Sequence, residues 1–172
     1  MNNKSYRLVP ESLTEALLKL LEEKQIADIN VSELCQRAGV SRISYYRNYD
    51  SMSDILLDHM KKTDDEWWQS LSGLSAEEFA TNFWNELCGH YRKNEKFIKM
   101  LYANDLSFLI KEHIFSCCSI GPECDDTQAY ERSVLAGALY GFMDEWIRRG
   151  MKDIPGKFGF YMIIEDVFRG SK

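Results

Sequence analysis

Apolar residues recur along the first part of the chain at the spacing of one helical face. They follow the i, i+3, i+4, i+7, i+8 pattern of an amphipathic helix and are Leu13, Ala16, Leu17, Leu20 and Leu21. The pattern predicts a helix from Pro10 to Glu23. Proline is acceptable in the first turn, because its missing N–H would have no partner there in any case.

Two shorter helices are predicted next, with a glycine between them. Asn30 can cap a helix that ends at Gly39, since glycine readily adopts the left-handed conformation that turns the chain. Ser41 caps a third, very short helix, for which Val40 and Ile43 are the expected core anchors. Two helices joined by a tight glycine turn, with a third before them, are typical of a helix-turn-helix unit.

Capping signals divide the rest of the chain into further helices. Ser51 and Asp54 can begin a long helix, and the segment SAEE, Ser75 to Glu78, is a capping box that begins another. The later predicted helices cover residues 95–102, 105–118 and 155–168. One more helix is predicted to follow residues 125–127 and to end at residue 149. No alternating run of β-branched residues is long enough for a strand, so the predicted class is all-α.

Composition narrows the class of protein. The chain has 172 residues, 45% hydrophobic and 28% charged, which favours a globular protein with one main core and a small satellite domain. No segment approaches the length of a membrane span, and the start does not resemble a signal peptide. The five cysteines are an odd number that favours reduced thiols, so a cytoplasmic protein without membrane contact is expected.

Polar and aromatic side chains concentrate in the segment VSRISYYRNY, Val40 to Tyr49. A helix-turn-helix unit presents polar side chains near the start of its last helix to the major groove of DNA. The candidate DNA-binding residues are Ser41, Arg42, Ser44, Tyr46, Arg47 and Asn48. Together with Arg37 they predict a locally basic face, although the whole chain carries a net charge of -6.

The segment INVSELCQRAGVSRISYYRNYDSMSDIL, Ile29 to Leu56, resembles the DNA-binding domain of TetR-family transcriptional regulators. Its most specific part is Ala-Gly-Val-Ser, residues 38–41, followed by Tyr46 and Tyr49. The resemblance implies a helix-turn-helix DNA-binding domain over residues 1–60 and a larger helical effector-binding and dimerisation domain over 61–172. It also implies a homodimer on a palindromic operator, more often a repressor than an activator, that responds to a small-molecule effector.

The resemblance also assigns roles to single residues. Ser41, Arg42 and Ser44 would begin the groove-facing helix. Tyr46 would contact the DNA backbone beside Arg47 and Asn48, while Tyr45 and Tyr49 would pack in the core. Met52 stands where the family has a phosphate-binding lysine, and Asp50 stands at its proline position. The alternative function is therefore a coactivator or protein-docking module of the same fold with weakened DNA binding.

Small residues recur at steps of four in the segment AYERSVLAGALYGFMDEWIRRG. They are Ala129, Ser133, Gly137 and Gly141. Glycine within a helix costs about 1 kcal/mol relative to alanine, so the stripe suggests the close approach of another helix. That partner can be the last helix of the same chain or a second copy. The family resemblance favours a dimer interface of Ser133, Gly137, Gly141, Ile164 and Phe168.

Other chemistry has weaker signals. Cys117, Cys118 and Cys124 with His113 suggest metal binding or a redox switch, but they lack the C-x₂-C spacing of zinc sites, so inert thiols are expected. His59 and His90 have no carboxylate or nucleophile at a recognisable offset. No phosphate-binding glycine loop, nucleophile elbow or H-E-x-x-H motif is present, so neither an enzyme nor a cofactor or metal is predicted. Aromatic residues between Trp67 and Trp146 could line an effector cavity.

Overall fold

The computed structural model describes residues 3–118 and 125–152, and every regular element within them is a helix. The α-helices are α1 (Asn3–Glu23), α2 (Val31–Ala38), α3 (Arg42–Asn48), α4 (Met52–Ser70), α5 (Ala76–Lys93), α6 (Glu95–Ala103), α7 (Phe108–Cys117) and α8 (Asp126–Arg148). A short 3-10 turn, Ile26–Asp28, lies between α1 and α2. The predicted all-α class is confirmed for the described residues.

Helix α1 forms the centre of the N-terminal part of the chain. It contacts α2, α3, α4 and α6. The buried apolar side chains in these helices include Leu13, Leu17, Leu20, Leu34, Tyr45, Ile55, Leu56 and Leu101. Full burial of one such side chain contributes about 1.5–3 kcal/mol, so the shared face of α1 accounts for much of the stability here.

The predicted helix starts are confirmed where a side-chain cap defines them. Asn30, Ser41, Ser51 and Ser75 each accept a hydrogen bond from the backbone N–H three residues later. The capping boxes of α4 and α5 have both halves, because Asp54 and Glu78 accept from the backbone of the capping serines. Such a cap contributes about 1 kcal/mol and is purely local, which is why its signal is legible in the sequence.

Two helix starts differ from the prediction. Helix α1 begins at Asn3 and passes through Pro10, whose fixed φ is helical, although its ring removes one backbone hydrogen bond and crowds the carbonyl four residues earlier. Helix α7 begins at Phe108 rather than Asp105. Asp105 has a left-handed φ of 58°, which breaks the helical path after α6.

The chain forms two compact units, residues 1–140 and 141–172. Helix α4 is continuous across positions 60 and 61, where the functional boundary is predicted. In the second unit, Gly150 and Met151 have positive φ values of 82° and 54° after the last turn of α8. The predicted helix over 155–168 lies outside the described residues. The division into a DNA-binding domain, 1–60, and an effector domain, 61–172, stays a prediction.

Asn104 links the N-terminal helices to α6 within the first unit. This buried side chain accepts a hydrogen bond from the Ile26 N–H at 3.2 Å and donates one to the Met100 carbonyl at 3.0 Å. Gln25 adds a hydrogen bond to the Ala103 carbonyl at 3.2 Å. The loop after α1 is therefore fixed to the end of α6. In the part of the chain described here, no helix is long and apolar enough to cross a membrane.

The expected anchor Ile43 is not in the core. Its side chain is 72% exposed, whereas Tyr45 is only 1% exposed and Val40 is half-buried. Successive helical residues are about 100° apart, so positions 43 and 45 point to nearly opposite sides of α3. Tyr45 occupies the inner side, and Ile43 is therefore directed to solvent.

We expect Ile43→Ser to change the free energy of unfolding by less than about 0.5 kcal/mol, as at other exposed positions. Tyr45→Ser should cost about 3 kcal/mol or more, because it removes a fully buried ring. Urea unfolding followed by tryptophan fluorescence measures both values. Equal destabilisation by the two substitutions would mean that Ile43 packs in the core.

Candidate nucleic-acid interface

A left-handed glycine sets the angle between α2 and α3. Gly39 has a φ of 67°, and its N–H donates to the carbonyls of Cys35 and Gln36 at the end of α2. The N–H of Val40 donates to the Cys35 carbonyl at 3.0 Å. A side chain at position 39 would strain this turn, because L-residues rarely adopt a positive φ. The turn directs the start of α3 away from the core.

The predicted DNA-binding residues lie together along α3 and at its cap. The exposed ones are Ser41, Arg42, Tyr46, Arg47 and Asn48, while Ser44 is half-buried. The tyrosines divide as predicted, since Tyr45 and Tyr49 are buried and Tyr46 is 53% exposed. Ile43 lies on the same exposed surface, and its apolar identity concealed this from the sequence.

Hydrogen bonds within α3 occupy several of these polar groups. The Ser41 hydroxyl accepts from the Ser44 N–H at 3.0 Å and lies 2.9 Å from the Ser44 hydroxyl. Asn48 donates from its side-chain amide to the Ser44 carbonyl at 2.7 Å. Ser41 and Ser44 therefore stabilise the short helix as well as standing on its exposed side.

Ring contacts position Arg42 on this surface. The Tyr46 ring meets the buried Tyr45 ring edge-on, with centroids 5.0 Å apart. The Arg42 guanidinium carbon lies 5.9 Å from the centroid of the Tyr46 ring, within the range of a cation–π contact. A buried tyrosine thus supports an exposed tyrosine, which in turn restrains the arginine.

The end of α3 is fixed to α4. The Tyr49 hydroxyl donates to the Asp58 carboxylate at 2.8 Å. Burial and the hydrogen bond to Asp58 hold the pKa of Tyr49 above its ordinary value, so the hydroxyl remains a donor. The end of α3 is therefore joined to α4 by a direct side-chain contact.

Two surface ion pairs lie beside the predicted basic face. Arg37 forms a two-pronged ion pair with Glu23 at 2.5 and 2.9 Å, and Lys24 pairs with Glu33 at 2.6 Å. The ion pair of Arg37 with Glu23 lies at the surface, so Glu23 on α1 offsets the charge of Arg37 without removing it from the protein surface. The locally basic face stays a prediction. The positive charge on α3 itself comes from Arg42 and Arg47.

The predicted dimer residues in the described part of α8 are exposed. Ser133, Gly137 and Gly141 are each accessible to solvent. Beside the first two lie exposed apolar side chains, with Tyr130 70% and Val134 59% accessible. A Cβ at Gly137 would meet no heavy atom of the described residues within 4 Å. We call the side of α8 that carries Tyr130, Ser133, Val134 and Gly137 the small-residue face, after Ser133 and Gly137. Ile164 and Phe168 lie outside the described residues.

Of two surface grooves, the one between α4 and α5 lies in the region that is predicted to bind an effector. The groove between α4 and α5, of about 280 Å³, includes Trp67, His90 and Lys93 in its lining. The groove between α1 and α4, of about 290 Å³, has His59 and several charged residues along it. Both volumes lie near the lower end for small-molecule sites. An effector site stays a prediction.

A cluster of ionisable side chains joins three helices behind the first groove. The Asp64 carboxylate on α4 lies 2.7 Å from His90 Nε2 of α5 and 2.7 Å from His113 Nε2 of α7. Cys117 Sγ lies 3.7 Å from the same nitrogen of His113. Both histidines are buried, and the Trp67 ring stacks on His90. We call Asp64, His90, His113 and Cys117 the Asp64 cluster.

Sequence reasoning missed Asp64 and its link to His90. The two partners lie 26 residues apart, and Asp64 is 49 residues from His113, so no local spacing connects them. The only local signal was the four-residue step from His113 to Cys117, which places both on one side of a helix. Cys118 is half-buried beside the cluster, and Cys124 lies outside the described residues.

The hydrogen bonds in the Asp64 cluster favour the charged forms of Asp64 and His113. Burial raises the pKa of Asp64, but hydrogen bonds from His113 and His90 outweigh this effect, and the pKa lies below its ordinary value. Burial lowers the pKa of His113, but the bonds to Asp64 and Cys117 outweigh it and raise the pKa to about 9. With a pKa of about 9, His113 is an imidazolium paired with a carboxylate at neutral pH.

We expect Asp64→Asn to lower the free energy of unfolding by about 1–3 kcal/mol in buffer with a chelator, because two buried imidazoles lose their carboxylate. This difference in the free energy of unfolding between the variant and the parent chain, the gap, should shrink as pH rises from about 6.5 to about 9. The raised pKa of His113 is about 9, and the imidazolium is lost there. The gap should also shrink in acid, where Asp64 is protonated. Urea unfolding at several pH values measures this gap.

Asp65→Asn is the matched control, since Asp65 is the neighbouring carboxylate on α4 and is exposed. A gap that is independent of pH, or equal in the two variants, would mean that the pairing in the cluster contributes nothing.

No family model, curated protein or solved structure matches this chain. The resemblance of residues 29–56 to TetR-family regulators therefore depends on the motif itself.

Proposed function

We propose that the chain is a TetR-like DNA-binding transcriptional regulator. As a homodimer it binds a palindromic operator in the cytoplasm, represses transcription and responds to a small-molecule effector. The observation that carries the proposal is the exposed surface of α3, which a left-handed glycine turns away from the core.

The side chains on α3 suit the major groove. Arginine donates two hydrogen bonds to guanine O6 and N7, and Arg42 stands on the first turn of α3. The exposed Ile43 beside it can contact a thymine methyl group. Tyr46 and Arg47 are suited to phosphate oxygens, which set the position of the protein on the duplex. In this arrangement the first turn of α3 recognises bases, and Tyr46 and Arg47 contact the DNA backbone.

In a homodimer, the α3 helix of the second copy contacts the other half of the palindromic operator. Two copies of α3 related by a two-fold axis can enter successive major grooves, about 34–36 Å apart. The small-residue face supports such a pairing, because its exposed glycine and apolar side chains allow a second helix to approach closely. An effector bound between the helices would shift the balance between DNA-competent and DNA-incompetent dimers.

The second candidate is a protein-docking module of the same fold. Met52 replaces the expected phosphate-binding lysine at the start of α4, and the exposed Asp50 adds negative charge beside α3. Loss of one phosphate contact weakens DNA binding and lowers its salt dependence by about one unit of slope. The exposed Ile43 and Tyr46 would then contact protein.

The two candidates separate in a fluorescence-anisotropy titration against DNA from upstream of the gene, at several salt concentrations. A regulator should bind this duplex at least about 1,000-fold more tightly than a scrambled duplex, with affinity that falls steeply with salt. Weak binding that is equal on both duplexes would reject the proposed regulator and favour the docking module.

We expect Arg42→Ala to weaken binding to the specific duplex by about 1–3 kcal/mol and to have a smaller effect on the scrambled one, because a base contact is lost. Lys99→Ala removes the same charge from α6, where Lys99 pairs with Glu95, and should leave the affinity nearly unchanged. The same anisotropy titration compares the two variants. Equal losses of affinity in the two variants would mean that Arg42 contributes only its charge and no base contact.

Gly137→Leu should convert dimers into monomers, measured by light scattering with size-exclusion chromatography. The substitution puts a large side chain into the small-residue face while leaving the folded chain intact, because no described atom obstructs the site and leucine favours the helix by about 1 kcal/mol. Gly89→Leu is the control, at an equally open position on α5. A dimer that survives Gly137→Leu would place the interface elsewhere, and a monomeric parent chain would rule the homodimer out.

A further inference from the structure

We propose that Asp64, His113 and Cys117 form a binding site for a zinc-class divalent cation, with His90 orienting the carboxylate from behind. The three groups offer one oxygen, one nitrogen and one sulfur donor, and these atoms all lie within 4.8 Å of one another. This inference concerns metal binding by the folded chain and does not depend on the proposed DNA binding.

The nitrogen and sulfur donors of the cluster are spaced as in a tetrahedral zinc site. Zinc binds histidine nitrogen at about 2.0–2.1 Å and cysteine sulfur at about 2.3 Å, which separates the two ligands by about 3.6 Å at a tetrahedral angle. His113 Nε2 and Cys117 Sγ are 3.7 Å apart. Asp64 Oδ2 is 2.7 Å from the same nitrogen, held by a hydrogen bond that the cation would replace. A tetrahedral site would need this oxygen–nitrogen distance to increase by about 0.7 Å. The oxygen and the sulfur lie within 4.8 Å of each other.

The helices make the site compact. His113 and Cys117 are one turn apart on α7, and the spacing of four residues places both on the same side of a helix. Asp64 comes from α4, which packs directly against α7. Two ligands therefore keep a fixed spacing, and only the third depends on how the helices pack.

His90 supplies an outer contact of the kind that metal sites use. It lies 2.7 Å from Oδ1 of Asp64, which leaves Oδ2 directed at His113. The stacked Trp67 ring fixes the plane of the His90 imidazole. Such outer partners hold the ligand in the binding orientation, and their loss typically lowers metal affinity about 10–100-fold.

The donor set selects the class of cation. Magnesium and calcium require mainly oxygen ligands, whereas thiolate and imidazole favour zinc, cobalt and related divalent ions. Cys117 is exposed, so a cation can reach the cluster from solvent, and water can occupy the fourth position. Binding displaces the proton from the Cys117 thiol and the proton shared between His113 and Asp64.

Cobalt is the spectroscopic probe for the test. Reduced, tag-free protein is freed of metal with a chelator and titrated with Co²⁺, then with Zn²⁺ in competition with a chromophoric chelator. We expect one ion per chain, a thiolate-to-cobalt charge-transfer band, and visible bands of tetrahedral intensity. Zinc should displace the cobalt.

Cys117→Ser is the decisive variant, because this exposed side chain can be changed without disturbing the core. It should abolish the charge-transfer band and lower zinc affinity by about 100-fold or more, whereas His90→Gln should keep the band and lose about 10–100-fold. Cys118→Ser, at the adjacent position outside the donor group, is the matched control and should change neither. Circular dichroism verifies that each variant is folded.

Absence of cobalt binding by the folded parent chain would overturn the site. So would a band and affinity that survive Cys117→Ser or that are lost instead in Cys118→Ser. Because no DNA is present, failure of the proposed regulatory function cannot produce these results, and success here does not establish that function.

Discussion

Burial of the apolar face of α1 is the interaction on which the rest of the first unit depends. Leu13, Leu17 and Leu20 are almost completely buried, and α1 contacts α2, α3, α4 and α6. Helix α3 has only seven residues, far fewer than an isolated helix needs for stability in water. Its position therefore depends on Tyr45 and Tyr49, whose rings complete the same core. The surface proposed to contact DNA is the outer side of a helix that the core holds in place.

Helix α4 connects the two candidate sites. Near its start Asp58 accepts the Tyr49 hydroxyl at the end of α3, and further along Asp64 meets the histidines of α5 and α7. About six residues of one helix, some 9 Å, separate these contacts. The proposed cation site and the proposed DNA surface therefore both rest on contacts with the same continuous helix. The capping box at Ser51 fixes where that helix begins.

Local signals account for most of the correct predictions of the fold. A cap, a capping box or a left-handed glycine involves residues within four positions of one another. Each can therefore be recognised in a short sequence such as Asn30 to Gly39. The incorrect predictions also have local causes. Pro10 was assumed to begin a helix that in fact passes through it, and the apolar identity of Ile43 suggested burial although the helical period opposes it to Tyr45. The six predicted positions on α3 and its cap do lie together, but their contact with DNA stays a prediction.

What the sequence by itself determined was the helical class, the sharp turn at Gly39 and the polar composition of the helix that follows it. Only the tertiary structure decided that Arg37 pairs with Glu23 and that Asp64 meets His90 and His113. The physical reason is the range of the interactions. Caps and helical periods are satisfied within one turn of the chain, whereas ion pairs between helices depend on packing angles that many distant apolar side chains set together.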